Sequence, residues 1–155
     1  MKPFFFALFV VLFVSCSDDN DENCLTKDYK AENEQEIIDY IADNDLDATA
    51  SGSGLYYVIE EQGTGAQPTS NSNVTVAYKG MYTNGDVFDE SDEDGISFNL
   101  TQVIPGWTEG IQYFNAGGNG LLLIPAHLAY GSCDFRGIPG GSVLIFEVNL
   151  ISVNQ

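Results

Sequence analysis

The chain has 155 residues, of which 44% are hydrophobic, enough to bury the core of one domain with shorter additions. Five Lys and Arg residues stand against 23 Asp and Glu residues, which gives a formal net charge of −18. This charge argues against nucleic acid as a partner and against adsorption to anionic lipid head groups, and by itself it indicates only a soluble surface.

The N-terminus has the pattern of a bacterial secretion signal. Lys2 supplies the positive charge, and residues 4–14 form an apolar run that is too short to span a bilayer but is typical of a signal peptide. The run leads to Cys16 in a sequence that resembles a lipobox, with Phe13 in place of the usual Leu. We therefore expect residues 1–15 to be removed and Cys16 to be lipidated. A secretory signal with an unrelated Cys is the alternative.

Residues 16–31 are predicted to form a solvated acidic tether, because the run from Asp18 to Glu22 cannot contribute to a core. Ser17 and this run, directly behind a lipidated Cys, resemble the surface-export signal of some Gram-negative lipoproteins. The expected location is therefore the cell envelope of a Gram-negative bacterium, as an outer-membrane lipoprotein. Contact with the membrane is expected through the lipid anchor alone, and the chain faces either the periplasm or the outside.

A short helix is predicted over residues 32–46, with acidic residues near its start, where the helix dipole favours anions. It has too little apolar surface to be a domain, so it either docks on the main domain or mediates pairing. The helix and the small-residue linker after it make up residues 32–53. Its apolar face is predicted to carry Ile37, Ile38, Ile41 and Leu46.

From residue 54 the pattern changes to short strands separated by turns. Val74, Val76 and Tyr78 alternate on one face of a strand over residues 74–82, and Asn84-Gly85 is a strong hairpin signal. Five short strands and one helix predict an antiparallel α+β domain over residues 54–155. The other strands are predicted at 55–59, 96–100, 121–124 and 143–150, the last with Leu144, Phe146, Val148 and Leu150 on one face.

The single Trp of the chain follows a rigid turn and begins the predicted helix of this domain. Pro105 fixes φ and Gly106 permits unusual backbone angles, so these residues indicate a turn. Trp107, Ile111 and Phe114 then have the spacing of one helix face, and a pair of glycines ends the helix after about two turns. A Trp in this position is either part of the core or the floor of an apolar pocket.

Six short motifs in a fixed order carry a family resemblance. They are Val76-Ala77-Tyr78-Lys79-Gly80, Gly85-Asp86-Val87-Phe88-Asp89, Val103-Ile104-Pro105-Gly106-Trp107, Leu128-Ala129-Tyr130-Gly131, Ile138-Pro139 and Phe146. Together they resemble the FKBP-type peptidyl-prolyl isomerase family over about residues 54–153. The resemblance implies a curved antiparallel β-sheet wrapped around one short α-helix, with the substrate pocket between them.

The resemblance, carried over position by position, also implies the residues of the site. The catalytic group would be Tyr78, Phe88, Asp89, Trp107, Tyr130 and Phe146. The substrate-binding group would be Phe98, Val103, Ile104 and Ile138. The loop between residues 130 and 138 is slightly shorter than in well-known members, and residues 117–120 lack a basic residue often found there. Both differences from the family pattern bear on which substrate sequences the site prefers more than on whether it is active.

The chemistry that the family performs fits these residue types. Rotation about a peptide bond has a barrier of about 18–20 kcal/mol, and no bond to another atom is made or broken, so the site needs no nucleophile, cofactor or metal. A twisted amide has lost charge separation, and an apolar aromatic pocket favours it over the planar form. The resemblance implies that the Tyr130 hydroxyl and the Ile104 N–H hold substrate carbonyls and that Asp89 orients these groups. The expected partners are proline-containing polypeptides, with macrolide FKBP ligands as candidates.

Competing sites are less well supported by the sequence. The acidic residues 89–95 suggest a calcium loop, but a frame that starts at Glu90 puts Thr101 where the bidentate Glu is required. Glycoside hydrolysis is disfavoured because these carboxylates lie in one short loop without a partner across a cleft. His127 has no second ligand nearby in sequence, and residues 117–120 lack the Lys-Ser/Thr of a phosphate-binding loop.

Two further questions stay open at the level of sequence. If Cys16 is lipidated, Cys24 and Cys133 remain in an oxidising compartment, where they form a disulfide only if they lie close in space. The function is either that of a proline isomerase for extracytoplasmic proteins or that of a non-catalytic binding module, acting as a surface adhesin or assembly factor. The complete aromatic set favours the isomerase.

Overall fold

A seven-stranded antiparallel sheet forms the body of the protein in the computed structural model, which describes residues 24–154. The strands run in the order β1-β2-β6-β7-β3-β4, and β5 also pairs with β3. Their bounds are Thr49–Ala50 (β1), Tyr56–Glu61 (β2), Asn73–Tyr82 (β3), Val87–Glu90 (β4), Ile96–Asn99 (β5), Gly118–Ile124 (β6) and Leu144–Asn154 (β7). The five predicted strands are all present, and β1 and β4 are additional.

Strands β4 and β5 occupy the same edge of β3, one after the other. Strand β4 pairs with Lys79–Met81, and β5 pairs with Asn73–Val76. Between them the chain leaves the sheet in the acidic loop and is fastened back at Ser91. The Ser91 N–H donates to the Tyr78 carbonyl at 3.0 Å, and the Ser91 hydroxyl accepts from the Tyr78 N–H at 3.0 Å. The loop is thereby held next to the strand that carries Tyr78.

The inner face of the sheet packs against a short helix, as the sequence predicted. Helix α2 spans Pro105–Gly110 and continues into a 3₁₀ turn at Ile111–Tyr113. Gly106 and Gly110 allow it to lie close to the sheet, because a Cβ at Gly110 would come within 2.6 Å of the Leu122 side chain and one at Gly106 would collide with Ile124. The predicted alternation in β7 is confirmed. Leu144, Phe146, Val148 and Leu150 lie in this inner core.

The outer face of the sheet is partly covered by the N-terminal helix. Helix α1 spans Lys30–Asp43, so it begins two residues before the predicted helix and ends three residues before its predicted end. Ile37 is fully buried in a second core cluster, and Ile41 and Leu46 pack against that cluster. Ile38 was predicted on the same face but is 42% exposed, because successive helix positions are rotated by about 100° and Ile37 already points at the sheet. The other buried members of the cluster are Met81, Leu123, Val143 and Ile145.

A buried asparagine fixes the helix to the domain. Asn33 is 2% exposed, and its side-chain amide donates to the Gly141 carbonyl at 2.8 Å and accepts from the Ala126 N–H at 2.9 Å. Both bonds are made to backbone groups that would otherwise be buried without a partner, and losing such bonds costs about 1–3 kcal/mol. The helix therefore docks on the domain, which was one of the two predicted possibilities.

Cys24 and Cys133 form a disulfide that joins residues 109 positions apart, with their Cα atoms 5.1 Å apart. This bond ties the segment before α1 to the loop between Gly131 and Gly141. The predicted signal peptide, the lipidation site Cys16 and the first half of the predicted tether, residues 16–23, lie outside the described residues. Within residues 24–154, no helix is long and apolar enough to cross a membrane.

Candidate active site

A cavity of about 440 Å³ lies between the inner face of the sheet and helix α2. Nine of the ten predicted site residues line it, namely Tyr78, Phe88, Asp89, Phe98, Val103, Ile104, Trp107, Tyr130 and Phe146. Ile138 does not line it and instead packs against the inner core from the neighbouring loop. Ile96 and Gln102 line the cavity without having been predicted. The alternation of β5 would have identified Ile96, which is two residues from Phe98.

Trp107 lies at the bottom of the cavity, enclosed by other rings. Its ring centroid is 5.1 Å from that of Tyr78, 5.2 Å from that of Phe146 and 5.4 Å from that of Phe98. The indole is only 5% exposed, because these three rings surround it. Its Nε1 atom is buried and has no hydrogen-bond partner within residues 24–154.

The walls depend on a glycine that lets two phenylalanine rings approach the sheet. Phe88 and Phe146 meet edge to face, with ring centroids 5.6 Å apart and planes at 88°. A Cβ on Gly80 would come within 2.7 Å of the Phe88 ring and 2.9 Å of the Phe146 ring. Any side chain at Gly80 would therefore push one ring out of place, and with it a wall of the cavity.

One carboxylate stands at the rim and is paired with a half-buried phenol. The Tyr78 hydroxyl donates a hydrogen bond of 2.6 Å to Asp89 Oδ2. Strands β3 and β4 bring the two together, since Asp89 pairs with Gly80 in the register. Burial, followed by this hydrogen bond and the charge of Asp89, raises the pKa of the Tyr78 hydroxyl well above its ordinary value. The phenol therefore keeps its proton at neutral pH and orients the carboxylate.

Two donors of residues that line the cavity have no partner within residues 24–154. Tyr130 is 37% exposed, and no hydrogen bond joins its hydroxyl to another described group. Burial and the charge of Asp89 raise the pKa of this hydroxyl, against a smaller opposing effect of Arg136. Ile104 precedes helix α2 with extended backbone angles, and its carbonyl accepts from the Trp107 N–H at 2.9 Å. The Ile104 N–H donates no hydrogen bond within residues 24–154. The Ile104 N–H and the Tyr130 hydroxyl can therefore both donate to a ligand carbonyl.

Two larger clefts of the described chain lie outside this cavity and have mostly polar or charged lining residues. One of about 580 Å³ lies on the outer face of the sheet, near Tyr40 and Glu147, and one of about 690 Å³ lies beside α1, near Glu36 and Thr83. Among residues 24–154, no three His, Cys, Asp or Glu side chains are grouped so that they could hold a metal ion. The aromatic cavity is therefore the one in which the predicted site residues meet.

The sequence model of the protein family described as FKBP-type peptidyl-prolyl cis-trans isomerase matches residues 64–151, which is more than half of the chain. The chain belongs to this FKBP family. Two relatives are both called FKBP-type peptidyl-prolyl cis-trans isomerase FkpA. The one from Buchnera aphidicola subsp. Baizongia pistaciae is 46% identical over 70% of this chain and 44% of its own length. The one from Aeromonas hydrophila is 39% identical over 80% of this chain and 48% of its own length.

Solved structures of FKBP-type proteins confirm the predicted fold. The crystal structure of FkpA from Escherichia coli has a TM-score of 0.72 and 39% identity, over 81% of this chain and 61% of that one. A peptidyl-prolyl cis-trans isomerase from Pseudomonas syringae pv. tomato has a TM-score of 0.72 and 29% identity, over 90% of this chain and 99% of that one. The chain thus spans less than half the length of the two FkpA relatives above but nearly all of this isomerase.

Proposed function

We propose that this chain is a peptidyl-prolyl cis-trans isomerase that assists the folding of extracytoplasmic polypeptides. The observation that carries the proposal is the cavity of about 440 Å³ with an aromatic floor and walls and with hydrogen-bonding groups only at its rim. Membership of the FKBP family, whose relatives are named as isomerases of this type, supports it.

The proposed mechanism uses the difference in polarity between the planar and the twisted amide. A proline ring that sits on Trp107, between Phe88 and Phe146, places its preceding amide in an apolar environment. The planar amide loses solvation there, whereas the twisted amide has less charge separation to solvate, so the barrier of about 18–20 kcal/mol is lowered. The chemistry requires no cofactor and no metal.

Hydrogen bonds at the rim would hold the substrate in register. The Ile104 N–H and the Tyr130 hydroxyl are the proposed donors to substrate carbonyls. Asp89, whose carboxylate is held by the Tyr78 hydroxyl at 2.6 Å, would accept hydrogen bonds at the rim and orient these donors. Ile138 would contribute to the site by supporting the loop between residues 130 and 138, since its side chain packs against the inner core.

A protease-coupled isomerisation assay tests the activity directly. The chain lacking residues 1–23 is expected to accelerate the cis-to-trans step of a proline tetrapeptide above the uncatalysed rate and to retain this activity in EDTA. A macrolide FKBP ligand in excess is expected to inhibit it. A folded protein that leaves the uncatalysed rate unchanged would favour the alternative of a non-catalytic binding module, for which the family match provides no support.

We also propose that the protein is an outer-membrane lipoprotein of a Gram-negative cell envelope, anchored through Cys16. Lipidated Cys residues carry several acyl chains, which is enough for stable anchoring, whereas a single chain gives marginal binding. In this proposal residues 1–15 are the signal peptide, 16–31 the tether, 32–53 the helix and linker and 54–155 the isomerase domain. Cys16→Ala is expected to release the protein from membranes, and retention in the membrane fraction would contradict the anchor.

A further inference from the structure

A tight hairpin at the edge of the cavity carries an arginine in a backbone conformation that disfavours it. Phe135 and Ile138 exchange two backbone hydrogen bonds, each of 2.9 Å, around Arg136 and Gly137. Both central residues have positive φ, 49° for Arg136 and 89° for Gly137. Turns of this kind usually have Asn-Gly or Gly at these positions, and an Arg there is a source of strain of the sort that clusters at binding sites.

The arginine is directed along a stack of rings that leads to the cavity. The guanidinium carbon of Arg136 lies 5.2 Å from the centroid of the Phe135 ring. The Phe135 ring in turn stacks on Tyr130, with centroids 5.1 Å apart and planes at 11°. Tyr130 itself lines the cavity. A cation over an aromatic face is held in place by the ring quadrupole, so the guanidinium has a preferred position beside the site.

The charge of Arg136 is not neutralised by the protein. Within residues 24–154, no carboxylate lies within ion-pairing distance of its guanidinium. This is unusual in a chain with a net charge of −18. The three other described cations lie elsewhere. Lys27 pairs with Glu32 of α1, Lys30 is the first residue of α1, and Lys79 pairs with Glu147 on the outer face of the sheet. The electrostatic influence of Arg136 reaches the cavity, because it lowers the pKa of the Tyr130 hydroxyl against the effect of burial and of Asp89.

The loop that presents Arg136 is fastened at several points. The Cys24–Cys133 disulfide holds its beginning, and the Gly141 N–H donates to the Gly131 carbonyl at 2.9 Å to close it. The Asp134 carboxylate accepts from the Gly140 N–H at 2.8 Å, so the acidic residue nearest in sequence is engaged within the loop. A loop held in this way can present an exposed charge in one position without losing much entropy when a ligand binds.

A second loop beside the cavity carries negative charge. Asp89 lines the cavity, and exposed acidic residues follow it in the loop of residues 90–94, whose two ends, Asp89 and Ile96, both contact the cavity. A peptide bound in the cavity therefore meets carboxylates from this loop and an unpaired guanidinium from the loop that carries Arg136. An acidic side chain of the substrate is repelled by the first loop and attracted by the second.

We propose that Arg136 is a specificity-determining residue, which binds the carboxylate of an Asp or Glu adjacent to the substrate proline. Planar guanidinium groups bind carboxylates through two parallel hydrogen bonds, so the preference is chemical as well as electrostatic. This inference rests on the proposed isomerase function and specifies its substrate class: polypeptides with an acidic residue on one side of proline.

The test compares pairs of short proline peptides that differ only by Glu or Gln, placed directly before or directly after the proline. Exchange NMR on the full chain purified in detergent gives kcat/KM without a coupling protease, and quenching of Trp107 gives Kd for the same peptides. At one of the two positions, the wild-type protein is expected to prefer Glu over Gln by about two- to fivefold, the range that exposed ion pairs provide. The preference should shrink as salt is raised from about 10 mM to 1 M.

Three variants separate charge from structure. Arg136→Gln keeps a side chain at the same positive φ, so the strain is unchanged, and it is expected to bring the Glu-to-Gln ratio to about 1. Arg136→Lys is expected to restore part of the preference because it restores the charge. Lys30→Gln changes the net charge equally but lies at the start of α1, and it is expected to keep the wild-type ratio. Thermal unfolding of each variant verifies that it is folded.

The outcomes distinguish this inference from the proposed function. Isomerisation with equal rates for Glu and Gln peptides at both positions, or a preference that survives in Arg136→Gln, overturns the role of Arg136 and leaves the isomerase intact. Absence of isomerisation together with tighter binding of a Glu peptide, lost in Arg136→Gln, supports the role of Arg136 and overturns the isomerase. Absence of both isomerisation and a binding preference overturns both.

Discussion

The Tyr78 hydroxyl lies 2.6 Å from Asp89 Oδ2 and donates a hydrogen bond to it, so a half-buried phenol and a rim carboxylate act as one unit. The two residues come from adjacent antiparallel strands, and Gly80, two positions after Tyr78, faces Asp89 in the register. The arrangement fixes the orientation of the carboxylate without a cation. Hydrogen bonds to charged groups contribute about 1.5–3 kcal/mol, which makes this pair a well-defined target for mutation.

Removal of the Tyr78 hydroxyl is expected to change how stability depends on alkaline pH. The pKa of Tyr78 is raised in the folded protein above its ordinary value of 10.0. Above about pH 10 the unfolded chain therefore loses this proton while the folded protein retains it, so the free energy of unfolding falls as pH rises. Below that pH the contribution is fully present.

Urea denaturation at a series of pH values measures this effect. Tyr78→Phe is expected to show a shallower loss of stability above about pH 10 than the wild type. Tyr40 and Tyr130 also have raised pKa values, so the variant should still lose some stability. Identical alkaline slopes for the two proteins would contradict the assignment of a retained proton to Tyr78.

Tyr130→Phe is expected to separate catalysis from folding. The hydroxyl has no partner within residues 24–154, and the ring would keep its stack on Phe135, so the free energy of unfolding should change by no more than about 1 kcal/mol. If the hydroxyl holds a substrate carbonyl, kcat/KM should fall about tenfold, as expected for one hydrogen bond of about 1.4 kcal/mol. Isomerase kinetics and urea denaturation measure the two quantities. Unchanged kinetics in a folded variant would remove Tyr130 from the site.

Phe146→Ala is expected to produce the opposite pattern. Phe146 is 4% exposed and its ring contacts those of Tyr78, Phe88 and Trp107. Truncation leaves a cavity between the sheet and α2 and should lower the free energy of unfolding by about 3–5 kcal/mol. Phe146→Leu, which keeps most of the volume, serves as the control and should cost less. A loss below about 1 kcal/mol for the alanine variant would show that the wall is not needed for the fold.

Loss of the disulfide is expected to destabilise the protein mainly through the unfolded state. The bond joins residues 109 positions apart, and cross-links over long loops restrict the unfolded chain most. The double variant Cys24→Ser with Cys133→Ser should lose about 2–4 kcal/mol of unfolding free energy. The wild type unfolded in the presence of a reductant should match the variant. Equal stability of variant and wild type under oxidising conditions would indicate that the bond does not form.

The sequence contained enough information for the sheet, the short helix and most of the cavity. Alternation of apolar residues located β3 and β7 correctly, because a strand with one buried face has a period of two. The order of the six motifs then indicated the family, and nine of ten carried-over residues meet around one cavity. Ile138 is the exception, since it packs against the inner core instead.

Features that depend on contacts between residues far apart in the sequence could not be predicted from local sequence patterns. Asn33 is an ordinary polar residue in the sequence, yet it is buried because two backbone groups more than 90 positions away need a partner. Strand β1 has two residues, too few to show any period, and exists only because Thr49 and Ala50 pair with β2. The Cys24–Cys133 disulfide likewise could not be predicted, because it depends on the spatial distance between two residues 109 positions apart in the sequence.

Trp107 gives the most direct test of the site, because it is the single Trp of the chain and lines the cavity. Its indole lines the cavity but is only 5% exposed, so a bound peptide or macrolide would change the contacts around its ring. Titration with a proline peptide or a macrolide FKBP ligand is therefore expected to shift or quench its fluorescence to saturation.

Substitution of the same residue tests its role as the floor. Trp107→Leu keeps an apolar side chain and should cost less than the about 3–5 kcal/mol typical of Trp→Ala, so the fold should persist. Ligand affinity, measured by calorimetry because the variant has no Trp, should fall, since the proline ring loses the surface it rests on. Isomerase activity should fall with it. A folded wild-type protein whose Trp emission ignores saturating ligand, and which shows no isomerase activity, would show that this cavity is not the substrate site.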